Sequence, residues 1–234
     1  MYSFDDIITY NWIELKVLSD EISNTNQVFN KLLKNLNQSL INIKAKHNKE
    51  VEEDEKFNDG EERSVLQLEE LVINELERQQ YYAYCFAVHS SFEGKLKRIC
   101  NKIETEPFVK IKLADSKGDN DLKKYYNYLN KGFEMNVTKT EQYYQAISKH
   151  KIIRNMISHN NGIITGVEKN EISKLNLKHL EFEMIEERPV LEENQLFQIK
   201  LTNDYLLVLN ENISSFYKEL IPAIDERYKI LKQN

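Results

Sequence analysis

Apolar residues recur along the first fifty positions at a spacing of seven: Ile8, Leu15, Ile22, Phe29, Leu36 and Ile43, with Leu18, Leu32 and Leu40 filling intermediate turns. Sustained over this length, the spacing predicts a long amphipathic helix or a helical hairpin. Ser3 fits an N-cap, with Asp5 and Asp6 in the first turn where carboxylates meet the positive end of the helix dipole. Asn24-Thr25-Asn26 is the place for a hairpin break. The unbroken stripe favours one long helix, packed either on the rest of the chain or on a partner.

The pattern then changes. Glu50, Glu52, Glu53, Asp54, Glu55, Asp59, Glu61 and Glu62 crowd a segment with only Lys56 and Arg63 to oppose them, which reads as a solvated linker or helix end. Ser64-Val65-Leu66-Gln67 has the spacing of a capping box. It opens a second long helix carrying Leu68, Leu71, Val72, Leu76, Phe86, Phe92, Leu96, Ile99 and Ile103, which ends before Pro107. Lys117 to Asn120 reads as a loop, and Asp121 to Lys131 as a short helix that Gly132 ends. Thr138-Lys139-Thr140-Glu141 has the form of another capping box, opening a helix that Asn160-Asn161-Gly162 terminates. Beyond it, Leu180, Phe182 and Met184, then Leu196, Ile199 and Leu201, alternate on either side of Glu192-Glu193-Asn194, the pattern of a β-hairpin. Thr202-Asn203-Asp204 caps a last helix with Leu206, Leu209, Ile213, Phe216, Leu220 and Ile224, which Pro222 kinks or ends. The expected architecture is mostly α with one small antiparallel hairpin. Its divisions are a helical segment over 1–49, an acidic linker over 50–63 and a helical domain over 64–234.

Composition narrows the function. The chain has 234 residues, and its 32 Lys and Arg against 38 Asp and Glu leave a net charge of −6, a poor match to non-specific duplex binding. Any nucleic-acid contact must come from a local patch. With 6 Gly and 3 Pro, the first at Gly60 and Pro107, an all-β fold of many tight turns is excluded. No apolar run is long enough to span a bilayer, and the acidic start is unlike a secretory leader, so the expected location is cytoplasmic. Cys85 and Cys100 are about 22 Å apart along one straight helix and cannot bridge there. There is no Cys-x-x-Cys pair, and the five His do not cluster at ligand spacing along the chain, so neither metal nor cofactor is expected.

One stretch supplies the local patch. Between Glu141 and Glu168 there is no acidic residue, while Lys149, Lys151 and Arg154 bring positive charge. A second acid-free run, Gly94 to Ile103, carries Lys95, Lys97, Arg98 and Lys102. If the two helices pack together, they form a positive cleft on an acidic protein. Asn155 and His159 are four apart and share a helix stripe, whereas Arg154 and His159 are about 140° apart and share a side loosely. Ile152, Ile153, Met156 and Ile157 form the anchoring apolar face. A permanently charged guanidinium near an imidazole suits phosphodiester cleavage: the Arg stabilises charge on phosphorus, and the His moves a proton.

Arg154-Asn155-Met156-Ile157-Ser158-His159 resembles the Arg, polar residue, three more, His signature of HEPN domains (higher eukaryotes and prokaryotes nucleotide-binding). The resemblance spans roughly Ser64 to Leu220 and implies a helical bundle with the motif late in a helix, then a small hairpin and a closing helix. It implies a metal-independent ribonuclease of a toxin–antitoxin or antiphage-defence system, with Arg154 and His159 catalytic and Asn155 orienting them. It further implies a homodimer in which two motifs face each other, and an RNA 2′-OH attacking the adjacent phosphate. One subgroup, paired with nucleotidyltransferase antitoxins, carries Tyr two residues after the His; Asn161 stands there, so control through that tyrosine is not implied.

Lys151, Lys95, Lys97 and Ser158 are the candidate substrate-binding residues. Structural roles compete with these assignments. Arg154 can pair with a carboxylate, His159 can cap the helix carbonyls, and Glu93 can form a plain ion pair. The tyrosine groups at 81–84, 125–128 and 143–144 are expected in the core rather than stacked on bases. The alternative function is a catalytically inactive HEPN-like module that binds RNA, nucleotide or a partner protein.

Overall fold

The computed structural model describes residues 4–57, 63–185 and 194–233, with side chains described over 16–54, 65–185 and 194–231. The chain is mostly helical: α1 (Phe4–Phe57), α2 (Arg63–Glu104), α3 (Asp121–Asn127), α4 (Glu141–Asn160), α5 (Gly166–Ser173) and α6 (Asn203–Gln233). Three short strands, β1 (Ile163–Thr165), β2 (Leu180–Met184) and β3 (Leu196–Leu201), make one antiparallel sheet in the order β1-β3-β2.

The chain forms two compact units. One contains residues 1–28, 88–152 and 209–234, the other 29–87 and 153–208. α1, α2, α4 and α6 each contribute to both units. The acidic segment begins as a helix end, since α1 continues through Glu50–Asp54 to Phe57.

α1 passes Asn24-Thr25-Asn26 without a break, and the Thr25 hydroxyl donates back to the Glu21 carbonyl at 2.7 Å instead of opening a turn. Its buried line runs Leu18, Ile22, Leu33, Leu40 and His47. From Ile22 to Leu33 this line advances by eleven residues, close to three turns of a 3.6-residue helix, and from Leu33 onward it keeps a spacing of seven. Leu32 and Ile43 are therefore exposed, and Leu33 takes the core position. The expected Ser3 cap lies outside the described residues, as do the side chains of Ile8, Leu15 and Ser64.

In the first unit, α2 supplies Phe92, Leu96, Ile99 and Ile103, and α6 supplies Leu209, Ile213, Phe216 and Leu220. Phe92 meets Phe216 and Tyr217 edge-on, each with ring centroids 5.4 Å apart. Asn120 caps α3 by accepting from the Lys123 N–H at 3.1 Å, and a π-turn over Tyr128–Gly132 follows. Tyr126 stacks on Tyr144 at 3.8 Å and donates to Glu141 at 2.7 Å. Glu141 is thus committed to Tyr126 and Gln145. Pro222 neither ends α6 nor stops its packing: the helix runs on to Gln233, with Ile224 and Tyr228 buried beyond the proline.

In the second unit, β3 is the central strand, and Phe197, Ile199 and Leu201 are buried. The β2–β3 hairpin is as expected, with Phe182 opposite Ile199. β1 and α5 are additions to the expected pattern. β1 pairs with β3 through Ile164 opposite Phe197. Thr165 and Glu168 then form a reciprocal capping box that opens α5. Thr202 caps α6 by accepting from the Tyr205 N–H at 3.1 Å. Seven of the eight tyrosines in the three groups are buried, as core residues, the exception being half-buried Tyr143. Cys85 and Cys100 are both buried and free.

Candidate functional site

The motif lies in the last two turns of α4, within the second unit. Ile153 and Ile157 are buried and fix the helix face. Ile152 is not on that face: it is 41% exposed. One residue turns a helix by about 100°, so the buried stripe that includes Ile153 and Ile157 continues back through His150 and Ile147 and leaves Ile152 to solvent.

Two successive residues in the left-handed region, Asn161 at φ 51° and Gly162 at φ 74°, turn the chain out of α4. Asn tolerates this conformation and Gly adopts it without steric cost. The turn is tied on all sides. The Ile199 N–H donates to the Gly162 carbonyl at 2.8 Å. The Gln198 amide donates to the Asn161 carbonyl and to the Tyr82 hydroxyl, each at 2.8 Å. Tyr82 in turn donates to the Ile199 carbonyl. Burial pushes the Tyr82 phenol up to about 12, which keeps it a donor at neutral pH. The last turn of α4 is thereby anchored to β3 and α2.

On that turn, Ser158 and His159 are exposed. His159 is the basic residue in the last turn of α4. Arg154, one turn earlier, is half-buried. Its guanidinium carbon lies 5.3 Å from the centre of the Phe86 ring, and its Nη1 donates to Asn155 Oδ1 at 3.1 Å. The structure therefore brings Arg154 and Asn155 into direct contact and seats the cation on an aromatic platform. Nearby Cys85 is buried and free: burial pushes its thiol up to about 12, and the Arg154 charge only partly opposes this.

The expected substrate lysines are placed differently. Lys151 lies in the first unit and is committed to Glu93 at 2.5 Å, with both side chains largely covered. Lys95, also in that unit, is only 7% exposed, and burial lowers its pKa. Position 95 falls on the buried side of α2 with Phe92, Leu96 and Ile99, which places Lys95 at the edge of the core. Arg98 is paired with Glu21 at 2.7 Å, whereas Lys97 is exposed. Glu93 thus holds Lys151, neither Arg154 nor His159.

The sequence placed Phe86 on α2 and Tyr82 in the core without giving either a part in the site, and it did not single out Gln198. Gln198 is the one polar residue between Phe197 and Ile199 in a buried strand, and that interruption was the available signal. Chemically, a seated guanidinium and an exposed imidazole on one anchored helix end can receive an anionic group and exchange a proton with it. Comparison with protein-family models, curated proteins and solved structures finds no match for this chain.

Proposed function

We propose that this protein is a HEPN-type, metal-independent endoribonuclease acting as a homodimer, a toxin or antiphage effector of the cytoplasm whose controlling partner is an antitoxin or another defence protein. One observation carries the reading: Arg154 is seated on Phe86 and bonded to Asn155, one turn before an exposed His159 on a tied-down helix end. In the reaction, the RNA 2′-oxygen loses its proton to a histidine and bonds to phosphorus. The bond from phosphorus to the 5′-oxygen breaks, and that oxygen takes up a proton. The products are a 2′,3′-cyclic phosphate and a 5′-OH. Arg154 stabilises the added charge on the phosphoryl oxygens, Asn155 orients it, and the second copy completes the site.

The test is cleavage of RNA in EDTA by the wild type, Arg154→Ala and His159→Ala. Each substitution is expected to lower the rate by about 10²–10⁴-fold, and the fragments to carry cyclic phosphate ends. Undiminished cleavage by both variants, or 3′-OH ends, rules the assignment out. A second reading, a non-catalytic interaction module, draws on exposed Val65, Leu68, Leu71 and Val72 along α2. It predicts no cleavage by the wild type under any of these conditions.

A further inference from the structure

The buried line of α1 ends on a polar residue. Leu33, Leu40 and His47 are spaced by seven, and all three are buried, so a histidine occupies the next core position of an apolar stripe. Among the described residues its Nδ1 has no hydrogen-bond partner, although it is fully covered. Such an atom is costly unless something binds it. It faces Glu69 of α2, whose Oε2 lies 3.6 Å away, too far for a hydrogen bond. Glu50 follows His47 by one helical turn and projects on the same side. One donor atom from each of the three residues lies within 4.8 Å of the other two. All three belong to the second unit.

We infer that His47, Glu50 and Glu69 form a binding site for one divalent transition ion of the zinc class. Two ligand atoms on a tetrahedral zinc stand about 3.4 Å apart, given bonds of about 2.0–2.1 Å. The separations here close to that value through rotation of Glu50 and Glu69, both of which reach solvent. One imidazole nitrogen with two carboxylates favours zinc, cobalt or nickel over magnesium and calcium, which take all-oxygen sets. A divalent ion also balances the two carboxylates, of which Glu50 is paired among the described residues with Lys46 at 3.3 Å. A groove of about 470 Å³ opens beside the three residues, with Ile43, Leu68 and Val72 in its walls. It leaves the fourth position to water. The ion fastens the end of α1 to the start of α2 and takes no part in the proposed RNA cleavage.

The full chain, stripped with chelator and dialysed, is titrated with Zn²⁺ by calorimetry and with Co²⁺ by visible absorption. One equivalent is expected to bind, with cobalt bands of tetrahedral intensity and with Mg²⁺ unable to compete. His47→Gln and Glu69→Gln are each expected to weaken binding at least about tenfold. Glu69 is half exposed, so its variant keeps the fold even if His47→Gln does not. Absence of cobalt bands at millimolar metal overturns the inference, as does equal competition by Mg²⁺ or undiminished binding by Glu69→Gln.

Discussion

Gly162→Ala probes the device that positions the motif. The glycine sits at φ 74°, and a Cβ there would lie 2.2 Å from the Tyr82 hydroxyl and 2.8 Å from the Gln198 amide nitrogen. The left-handed conformation costs an alanine about 1 kcal/mol. Moving Tyr82 and Gln198 aside breaks the bonds to the Ile199 and Asn161 carbonyls, at about 1 kcal/mol each. The sum is about 3 kcal/mol, which for a chain of this size lowers the melting temperature by about 6–12 °C. Urea denaturation of the wild type, Gly162→Ala, Tyr82→Phe and the double variant measures this as a cycle. Removing the Tyr82 hydroxyl relieves the closest contact, so the double variant is expected to lose about 1–2 kcal/mol less than the two single losses together. If Gly162→Ala costs under about 0.5 kcal/mol, or the two effects simply add, the tied-turn account is wrong.

Two further predictions concern charge. Burial, helped by the Lys149 charge, pushes the buried His150 imidazole down to about 4 from its ordinary 6.5. The unfolded chain then binds more protons between those values, so stability is lost as pH falls through that window. The loss is about 2 kcal/mol at pH 5 and about 3 kcal/mol once both forms are protonated. Denaturant titrations at pH 7 and pH 5 should show His150→Gln losing less stability on acidification than the wild type; equal losses contradict this. Phe86→Leu removes the ring beneath Arg154, a contact worth about 0.5–1 kcal/mol, and should slow RNA cleavage about two- to fivefold while Phe86→Tyr keeps the wild-type rate. A Phe86→Leu rate equal to wild type would mean that the platform does not position the guanidinium.

Periodicity made the long helices and the β2–β3 hairpin readable, because each buries one face and repeats over many residues. Shorter features were hidden for physical reasons. β1 spans Ile163–Thr165 and gains its identity only by pairing with β3, so no local pattern marks it. Thr165-Gly166-Val167-Glu168 did carry a capping-box spacing, and it opens α5. In the motif helix, a run of apolar letters concealed the phase: Ile152 and Ile153 are adjacent, and only one can face the core. Net charge was equally blind to burial. Lys95 counts as a cation in the sequence, but the α2 face that buries Phe92 and Ile99 covers it too. Lys151 finds Glu93 from α2, 58 positions earlier, which no local spacing foretells.

Pro222 has a consequence for the last turns of α6. Without an N–H it cannot donate to the Lys218 carbonyl four residues earlier, and both residues are exposed. The ladder of α6 loses that one rung, and the turns beyond it remain helical. They are retained by anchorage: Ile224 and Tyr228 are buried, and Arg227 grips the Phe133 carbonyl at 3.0 Å and Glu134 at 2.6 Å. Side-chain anchorage therefore supports the turns beyond the proline alongside the helix ladder.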